Sequence, residues 1–308
     1  MDTLKAMRVF TRAVELGSLS AVARELESTQ PTISKTVAAL EADLGVRLLE
    51  RSTTHLQPTE AGRRFYAHAL TVLDAYAEAA ADARGGADHP VGKVRISAPV
   101  SFGVLRLNAL ILDFLAQYPE VEVELVFDDR FVDLVEAGVD VALRLGASLP
   151  PNVVARRIAV SPRGLVAAPG YLARHAPVRQ PADLADPLAG HAMLRFTWLA
   201  AGDEIVLTDG DGNVARVDAP CRYRANNSLA MRESFLAGAG FGLTPAWLVQ
   251  DLLDAGALTP VLPGWQGPAQ DAYLVYPSRR HQPARTRALL AFLTERVPAL
   301  PGFQPVAA

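Results

Sequence analysis

The chain has 308 residues, half of them apolar and a fifth charged, with a formal net charge of −3; that balance fits a compact protein of two or three domains and excludes disorder and indiscriminate polyanion binding. Its single cysteine, Cys221, excludes an internal disulfide and a multi-cysteine zinc site, and reads either as a small buried hydrophobe or as a redox-sensing thiol. The longest apolar stretch, Val104 to Phe114, is broken by Arg106 and Asn108, and no secretory leader is legible at Met1–Lys5, so a cytoplasmic protein without a membrane partner is expected.

From Met1 to about Ala83 the pattern is helical. Leu4, Met7, Phe10 and Val14 recur at three- and four-residue steps, Gly17 stops that helix, and Ser18 or Ser20 can cap the next. Leu19, Val22 and Leu26 mark a short second helix. A third starts near Pro31, where proline suits a first helical turn, and buries Ile33, Val37, Leu40 and Leu44 before Gly45. Val46 to Pro58, polar at its centre and flanked by apolar residues, reads as a two-stranded wing. Glu60 to Arg84 is one long helix, roughly 37 Å at about 1.5 Å per residue. Tyr66, Leu70, Leu73, Ala77 and Ala80 form one seam along it and Phe65, Ala69, Val72 and Tyr76 another; the two seams fit pairing with a second copy or packing on the chain's own domain.

Residues 85–90 break the pattern as a hinge. Strand and helix then alternate: a strand at Val94–Ala98, a helix at Val104–Tyr118, a strand at Val121–Phe127, a helix at Phe131–Ala137 and a strand at Val139–Leu145. Such alternation implies right-handed crossovers and a parallel sheet. Another strand begins around Arg163–Ala168 and leads into a Pro-rich, loop-like stretch. A hairpin joins Ile205–Leu207 to Val214–Val217. A helix at Ser228–Ala237, a strand at Gly242–Thr244, a late strand at Asp271–Tyr276 and a last helix at Pro283–Val297 complete the pass.

The strongest motif runs from Ser18 to Gly62. A helix-turn-helix needs a small residue where its two helices cross, which Ala23 supplies, and a tight polar turn, here Glu27-Ser28-Thr29. With Ile33, Val37 and Leu40 turned inward, the outward stripe of the third helix is Pro31, Ser34, Lys35 and Ala38, led by Gln30 and Thr32. These short side chains allow close approach to a major groove: Gln30 can pair with an adenine edge, Ser34 with a base or phosphate, Lys35 with guanine or phosphate. The competing reading is a three-helix bundle with a polar outer face. Bulk charge does not decide, since residues 1–64 carry nine Lys/Arg against eight Asp/Glu.

Three other signals point away from chemistry. Gly238-Ala239-Gly240-Phe241-Gly242 follows a helix and precedes a strand, the reverse of a nucleotide fingerprint. Asp209-Gly210-Asp211-Gly212-Asn213 opens like a calcium loop but has Val214 at the glycine position and Pro220 where the closing acid belongs, so a hairpin turn is expected. The six histidines lack ligand spacing and no catalytic constellation stands out; no metal, cofactor or enzymatic activity is expected.

The residues from Leu4 to Gly62 also resemble the DNA-binding region of the LysR-type transcriptional regulators. The resemblance rests on Phe10, Gly17-Ser18-Leu19, Ala21–Leu26, Thr29-Gln30-Pro31, Ile33-Ser34, Leu40-Glu41, Leu44-Gly45-Val46, Leu48, Glu50-Arg51 and Thr59-Glu60-Ala61-Gly62. It implies a winged helix-turn-helix with base contacts from Gln30, Pro31, Thr32, Ser34 and Lys35, and wing contacts from Arg51 and Thr53. Relatives commonly carry two basic residues where Thr54 and His55 stand, which implies fewer phosphate contacts and a shallower salt dependence. Arg63 and Arg64 either compensate or form a solvated helix face.

The remainder follows the family's plan more loosely: an α+β multidomain chain whose last part is a pair of α/β subdomains like periplasmic binding proteins, with an effector in the cleft between them. The expected division is 1–59 winged helix-turn-helix, 60–84 linker helix, 85–92 hinge and 93–308 effector region, with subdomain I at about 93–162 and 271–308 and subdomain II at about 163–270. Ligands in open α/β sheets sit at the carboxyl ends of strands, which points to Pro99, Ser101 and Phe102, to Asp128, and to Arg144 and Gly146. Ser101 can help make an anion-accepting corner or simply cap a helix; Arg144 can meet a carboxylate or face water from an edge strand. From subdomain II, Phe196 and Trp198 offer apolar walls and Asn226, Asn227 and Thr244 polar contacts. The resemblance implies double-stranded DNA with a pseudo-palindromic operator, a small-molecule effector such as a carboxylate or aromatic acid, a homodimer through the linker helix extending to a homotetramer, RNA polymerase, and a cytoplasmic, nucleoid-associated location. A plain solute-binding protein and an α/β enzyme are the competing functions.

Overall fold

The computed structural model describes residues 2–51, 56–83, 89–130, 133–134, 137–146, 153–186, 188–197, 204–277 and 282–306, and only the backbone of residues 51, 78 and 81–83. Helix α1 (Thr3–Leu16) starts at Asp2, whose carboxylate accepts from the Lys5 amide at 3.0 Å, and stops at Gly17. Helix α2 (Leu19–Glu25) is capped by Ser18 and α3 (Gln30–Leu44) by Thr29, with Pro31 in its first turn. Gly17 and Gly45 close α1 and α3 in the left-handed conformation, at φ 60° and 67°, which an L side chain resists. The three helices bury Val9, Phe10, Ala13, Val22, Ala23, Ile33, Val37 and Leu40, and Ala23 lies at the α2–α3 crossing.

The wing is an antiparallel pair, β1 (Leu49–Arg51) and β2 (Leu56–Pro58), in register from Leu49–Pro58 to Arg51–Leu56. Two side chains fasten it. The Glu41 carboxylate of α3 accepts from the Leu48 and Leu49 amides at 2.7 and 3.0 Å. Thr59 donates to the Arg47 carbonyl at 2.8 Å and accepts from the Gly62 amide at 2.9 Å, capping α4 (Glu60–Ala83). Gly62 is required sterically, because a Cβ there would collide with the Leu48 carbonyl. The first half of α4 rests on the head through Phe65 against Phe10 and through Tyr66, which donates to Glu15 at 3.0 Å. Farther along, Asp74 pairs with Arg285 at 2.9 Å, while Val72 and Tyr76 stay exposed.

Beyond the hinge lie β3 (Gly92–Ala98), α5 (Val100–Phe102) running through a π-helical turn (Gly103–Leu107) into α6 (Asn108–Gln117), β4 (Val121–Phe127) and β5 (Val141–Leu145). Then come the long β6 (Val153–Ala167), α7 (Pro169–Leu172), β7 (Met193–Phe196), the hairpin β8 (Glu204–Asp209) and β9 (Val214–Asp218), β10 (Cys221–Ala225) and α8 (Ser228–Leu236). The chain closes with β11 (Phe241–Pro245), α9 (Ala246–Asp254), the long β12 (Thr259–Pro277), α10 (Ala284–Arg296) and β13 (Gln304–Pro305).

One mixed sheet orders these strands β10-β7-β11-β6-β12-β5-β3-β4, with β8, β9 and β13 off the path. Its two ends, β4-β3-β5 and β10-β7-β11, are each parallel. They are joined by the antiparallel pair β6–β12, whose register runs from Val153–Pro277 to Ala167–Thr259. Two lobes therefore share one sheet, linked by two strands that cross near Ser161–Arg163 and Gly267–Gln270, a two-lobed plan like that of periplasmic binding proteins.

The structure departs from the sequence reading in three places. Strands β6 and β12 are far longer than their expected ends at 163–168 and 271–276, because Pro263-Gly264 and Gly267-Pro268, which look like breakers, are absorbed by register shifts. Strand β7 occupies part of the stretch read as loop-like, and strand β10 and helix α9 fall where no element was assigned. The helix expected at Val104–Tyr118 begins four residues earlier. Arg106 and Asn108 interrupt its apolar stretch without breaking the helix, and the whole run Val100–Gln117 has mean hydropathy 1.4 and is long and apolar enough to cross a membrane. Its Phe102, Leu107, Leu110, Ile111 and Phe114 are buried in the sheet core. The expected helix at Phe131–Ala137 lies largely outside the described residues.

Candidate nucleic-acid interface and interlobe site

The sequence of α3 places its apolar residues on one face, and packing on α1 and α2 consumes that face. What remains outward is Gln30, Pro31, Thr32, Lys35 and Ala38, all exposed, with Ser34 half-buried beside them. Thr32 is partly spoken for: its hydroxyl lies 2.8 Å from Thr29 Oγ1, within the cap. The stripe is a shallow surface of small side chains at a helix N-terminal half, the geometry that admits a helix into a major groove. The Arg51 backbone lies at the end of β1; its side chain and Thr53, Thr54 and His55 fall outside the described residues. Arg63 and Arg64 are exposed and share Glu60, at 2.8 and 3.7 Å. Exposed pairs of this kind are weak, so both guanidiniums remain able to exchange Glu60 for a phosphate.

In lobe I, Pro99 and Ser101, Asp128, and Arg144 and Gly146 stand at the carboxyl ends of β3, β4 and β5. Asp129 accepts from the Val100 amide at 3.1 Å and Asp128 from the Arg130 amide at 2.8 Å. Arg144 is not an edge-strand arginine facing water. It is 5% exposed, and donates from Nη2 to Ser97 Oγ at 2.9 Å and from Nη1 to the Leu143 carbonyl at 3.1 Å. Burial pushes its pKa down from the usual guanidinium value, and Asp128 and Asp129 act in the opposite direction.

In lobe II, Phe196 and Asn226 lie at the ends of the paired strands β7 and β10, and Asn227 caps α8 by accepting from the Ala230 amide at 3.1 Å. Thr244 is buried in β11 opposite Gly164 of β6. Trp198 lies outside the described residues. The two lobes meet where Ser101 Oγ accepts from the Leu229 amide at 3.2 Å, which sets the first turns of α5 and α8 against each other. Phe102, expected at the cleft, has no accessible surface. It packs edge-to-face on Trp247 and Phe303, at 5.4 and 5.9 Å, because the helix turns its apolar side into the core.

Sequence reasoning missed the fastening beside this junction. Arg106, noted only as an interruption of an apolar run, donates to the Trp247 carbonyl at 3.0 and 2.9 Å and to Asp251 at 3.1 Å. Arg232 grips the same carboxylate, Nη1 at 2.9 Å, and together the two guanidiniums hold Asp251 at about 2. The only available signal was a cation placed where the helix should be apolar. Two of the histidines expected to be scattered also come together in lobe II. His191 is buried, with Nε2 3.0 Å from the Ala176 carbonyl and Nδ1 3.3 Å from the Tyr171 hydroxyl, and its ring stacks on His175 at 5.4 Å. Nε2 therefore carries the hydrogen and Nδ1 accepts, which is the neutral ring; burial lowers its pKa. Among the described residues no group of three or more His, Cys, Asp or Glu is placed to hold a metal ion.

Comparison with known proteins places these features in a family. The bacterial regulatory helix-turn-helix family of LysR type matches residues 4–63, and the LysR substrate binding domain family matches residues 87–298. The HTH-type transcriptional regulator PtxR of Pseudomonas aeruginosa is 34% identical over 295 residues, covering 96% of this chain and 93% of its own. The HTH-type transcriptional activator AaeR of Escherichia coli is 30% identical over 295 residues, covering 96% and 94%. Among solved structures, CrgA, a LysR-type transcriptional regulator from Neisseria meningitidis, gives a TM-score of 0.60 at 28% identity over 95% of this chain and 98% of its own. The full-length Vibrio cholerae virulence activator AphB gives 0.56 at 28% identity, with the same coverage.

Proposed function

Because the chain belongs to the LysR-type family of transcriptional regulators, we propose that α3 reads its operator and that the α5–α8 junction binds the effector that sets the regulator's state. The observation that carries the DNA half is the outward stripe of small polar side chains on α3, set on a helix whose other face is buried. Gln30, Pro31, Thr32, Ser34 and Lys35 take the base edges, and Arg51 and Thr53 the phosphates beside the wing. The working division is 1–59 for the head, 60–84 for the linker helix, 85–92 for the hinge and 93–308 for the effector region.

Members of the family bind DNA and small-molecule effectors and form oligomers. In this chain the second copy is held by α4, whose Val72 and Tyr76 remain exposed beyond the head, and two dimers make the tetramer. A symmetric pair of α3 helices then requires a pseudo-palindromic operator in the cytoplasmic, nucleoid-bound DNA. RNA polymerase is the downstream partner.

The effector is a small carboxylate, including aromatic acids. Two helix first turns and the buried Arg144 offer positive potential, beside the half-buried carboxylates of Asp128 and Asp129. Pro99, Ser101, Asp128, Arg144 and Gly146 form one wall, and Phe196, Asn226, Asn227 and Thr244 the other; Trp198, which the sequence assigns to the second wall, lies outside the described residues. Closure changes the angle between lobes and so the spacing of the paired heads. Melting of the full chain against a panel of aliphatic and aromatic carboxylic acids tests this. An acid at about 100 times its Kd should raise the Tm by several degrees, and Ser101→Ala should shrink that shift without altering the fold, as should Arg144→Lys. If no acid stabilises the protein, or if both variants respond like wild type, the junction is not the effector site.

A further inference from the structure

Most of the contacts that hold a duplex go to phosphate oxygens, and the cations that make them set both affinity and its salt dependence. Helix α3 supplies one such cation, Lys35, and from Ser52 to Pro58 the wing has no lysine or arginine. The remaining cations of the head are unevenly placed. On α1, Lys5, Arg8 and Arg12 share the helix and its cap with Asp2 and Glu15, and Arg12 is held by Glu15 and by Glu25 of α2. Arg24 is flanked by Glu25 and Glu27.

At the base of the wing the balance is different. Arg47, Arg63 and Arg64 are all exposed. Among the described residues, the carboxylate paired with them is Glu60, at 2.8 Å from Arg63 and 3.7 Å from Arg64. Thr59 gathers the three arginines. Its hydroxyl donates to the Arg47 carbonyl at 2.8 Å and accepts from the Gly62 amide at 2.9 Å, and its amide donates to the Leu48 carbonyl at 2.9 Å. The residue that leads into the wing is thereby locked to the first turn of α4. Arg63 Nη1 reaches back to the Pro58 carbonyl at 3.2 Å, which lays its guanidinium along the end of β2. Because Glu41 of α3 holds the Leu48 and Leu49 amides, this frame is fixed to the helix that carries the outward stripe.

We propose that Arg47, Arg63 and Arg64 form a phosphate-binding surface at the base of the wing, which grips the DNA backbone beside the half-site that α3 reads. Glu60 is its counterweight. It positions Arg63 and Arg64 in the free protein and gives way to phosphate oxygens on binding, an exchange that a weak exposed pair permits and that counterion release favours. The surface carries no sequence information; it adds affinity and steepens the salt dependence that a wing poor in fixed charge would otherwise leave shallow. It rests on the reading that the head binds duplex DNA, and not on the choice of bases by α3.

The full chain is titrated with a duplex from its own upstream intergenic region and with a random-sequence duplex of equal length, each at several salt concentrations. Arg47→Gln and the double variant Arg63→Gln/Arg64→Gln should each weaken binding to both duplexes by the same factor. The slope of log affinity against log salt should fall by about one unit for each arginine removed. Glu60→Gln should act in the opposite direction and tighten binding to both duplexes several-fold. Opposite signs from neighbouring substitutions do not arise from a damaged fold, and all three variants should melt like wild type. Unchanged slopes in the arginine variants, or a Glu60→Gln variant that binds no more tightly than wild type, overturn the surface. If the slopes fall as expected while wild type shows no preference for its upstream duplex, the assignment of sequence reading to α3 fails and the surface stands. Binding to neither duplex at any salt concentration overturns both.

Discussion

The head and the effector region are held together by contacts of different reach. In the head, Thr29 caps Thr32 three residues on, Glu41 reaches the Leu48 amide over seven residues and Thr59 reaches Arg47 over twelve. In the effector region, Ser101 and Leu229 are 128 residues apart, and Arg106–Trp247 and Ser161–Gly302 are each separated by 141. The head's working surface is therefore a property of one short stretch of chain. The interlobe site exists only once the whole second half has folded around β6 and β12, the high-contact-order case. The lesson is that a local surface can tolerate changes elsewhere, whereas a site built from distant segments is exposed to damage anywhere along its frame.

Substitutions that act on one half alone test this contrast, and the largest effect belongs to Gly62. Gly62→Ala must push α4 off the Leu48 carbonyl, at a cost of about 3 kcal/mol. Calorimetry should show the head's transition lowered and the effector region's unmoved; a joint downward shift would mean that the halves melt as one unit. Glu41→Ala leaves the Leu48 and Leu49 amides without their acceptor and should destabilise the head by about 2 kcal/mol. Hydrogen exchange should quicken at β1 and β2 and nowhere in the effector region.

Arg106→Met should act in the other half, by about 1 kcal/mol, since it strips the Trp247 carbonyl of its donor while Arg232 still holds Asp251. Here the effector region's melting temperature should fall and operator affinity in the absence of effector should persist. The smallest effect is that of pH. His191 is neutral in the fold and its pKa is lowered by burial, so the stability it contributes is present above its ordinary pKa near 6.5 and is lost as pH falls below it. Wild type should lose more stability than His191→Gln between neutral and mildly acid pH, with the loss confined to the effector region. Equal pH dependence in the two proteins would place the acid sensitivity elsewhere.

Legibility followed the same divide. Every helix of the head and the wing could be read from periodicity and caps, because Ser18, Thr29, Gly17 and Gly45 mark ends that depend only on neighbouring backbone. The outward residues of α3 were equally legible, since burying Ile33, Val37 and Leu40 determines which side remains exposed. In the effector region the strand ends Ala98, Phe127 and Leu145 were readable, but not what faces them across the lobes. The bond between Ser101 and Leu229 has no signature in either segment. Phe102 was misplaced for a related reason: position at a helix start does not tell which way a side chain turns until Trp247 and Phe303 are known to lie behind it. Strand β12 was concealed by its own prolines and glycines, which bulges accommodate.

The most direct test of the account is the affinity of the full chain for DNA from its own upstream intergenic region, measured across several salt concentrations for wild type and for Gln30→Ala/Ser34→Ala. Base-edge contacts are worth about 1–3 kcal/mol each, so the variant should bind the operator at least about tenfold more weakly while keeping its fold, its oligomeric state and its non-specific affinity. Unchanged operator affinity in a folded variant would contradict the assignment of sequence reading to α3.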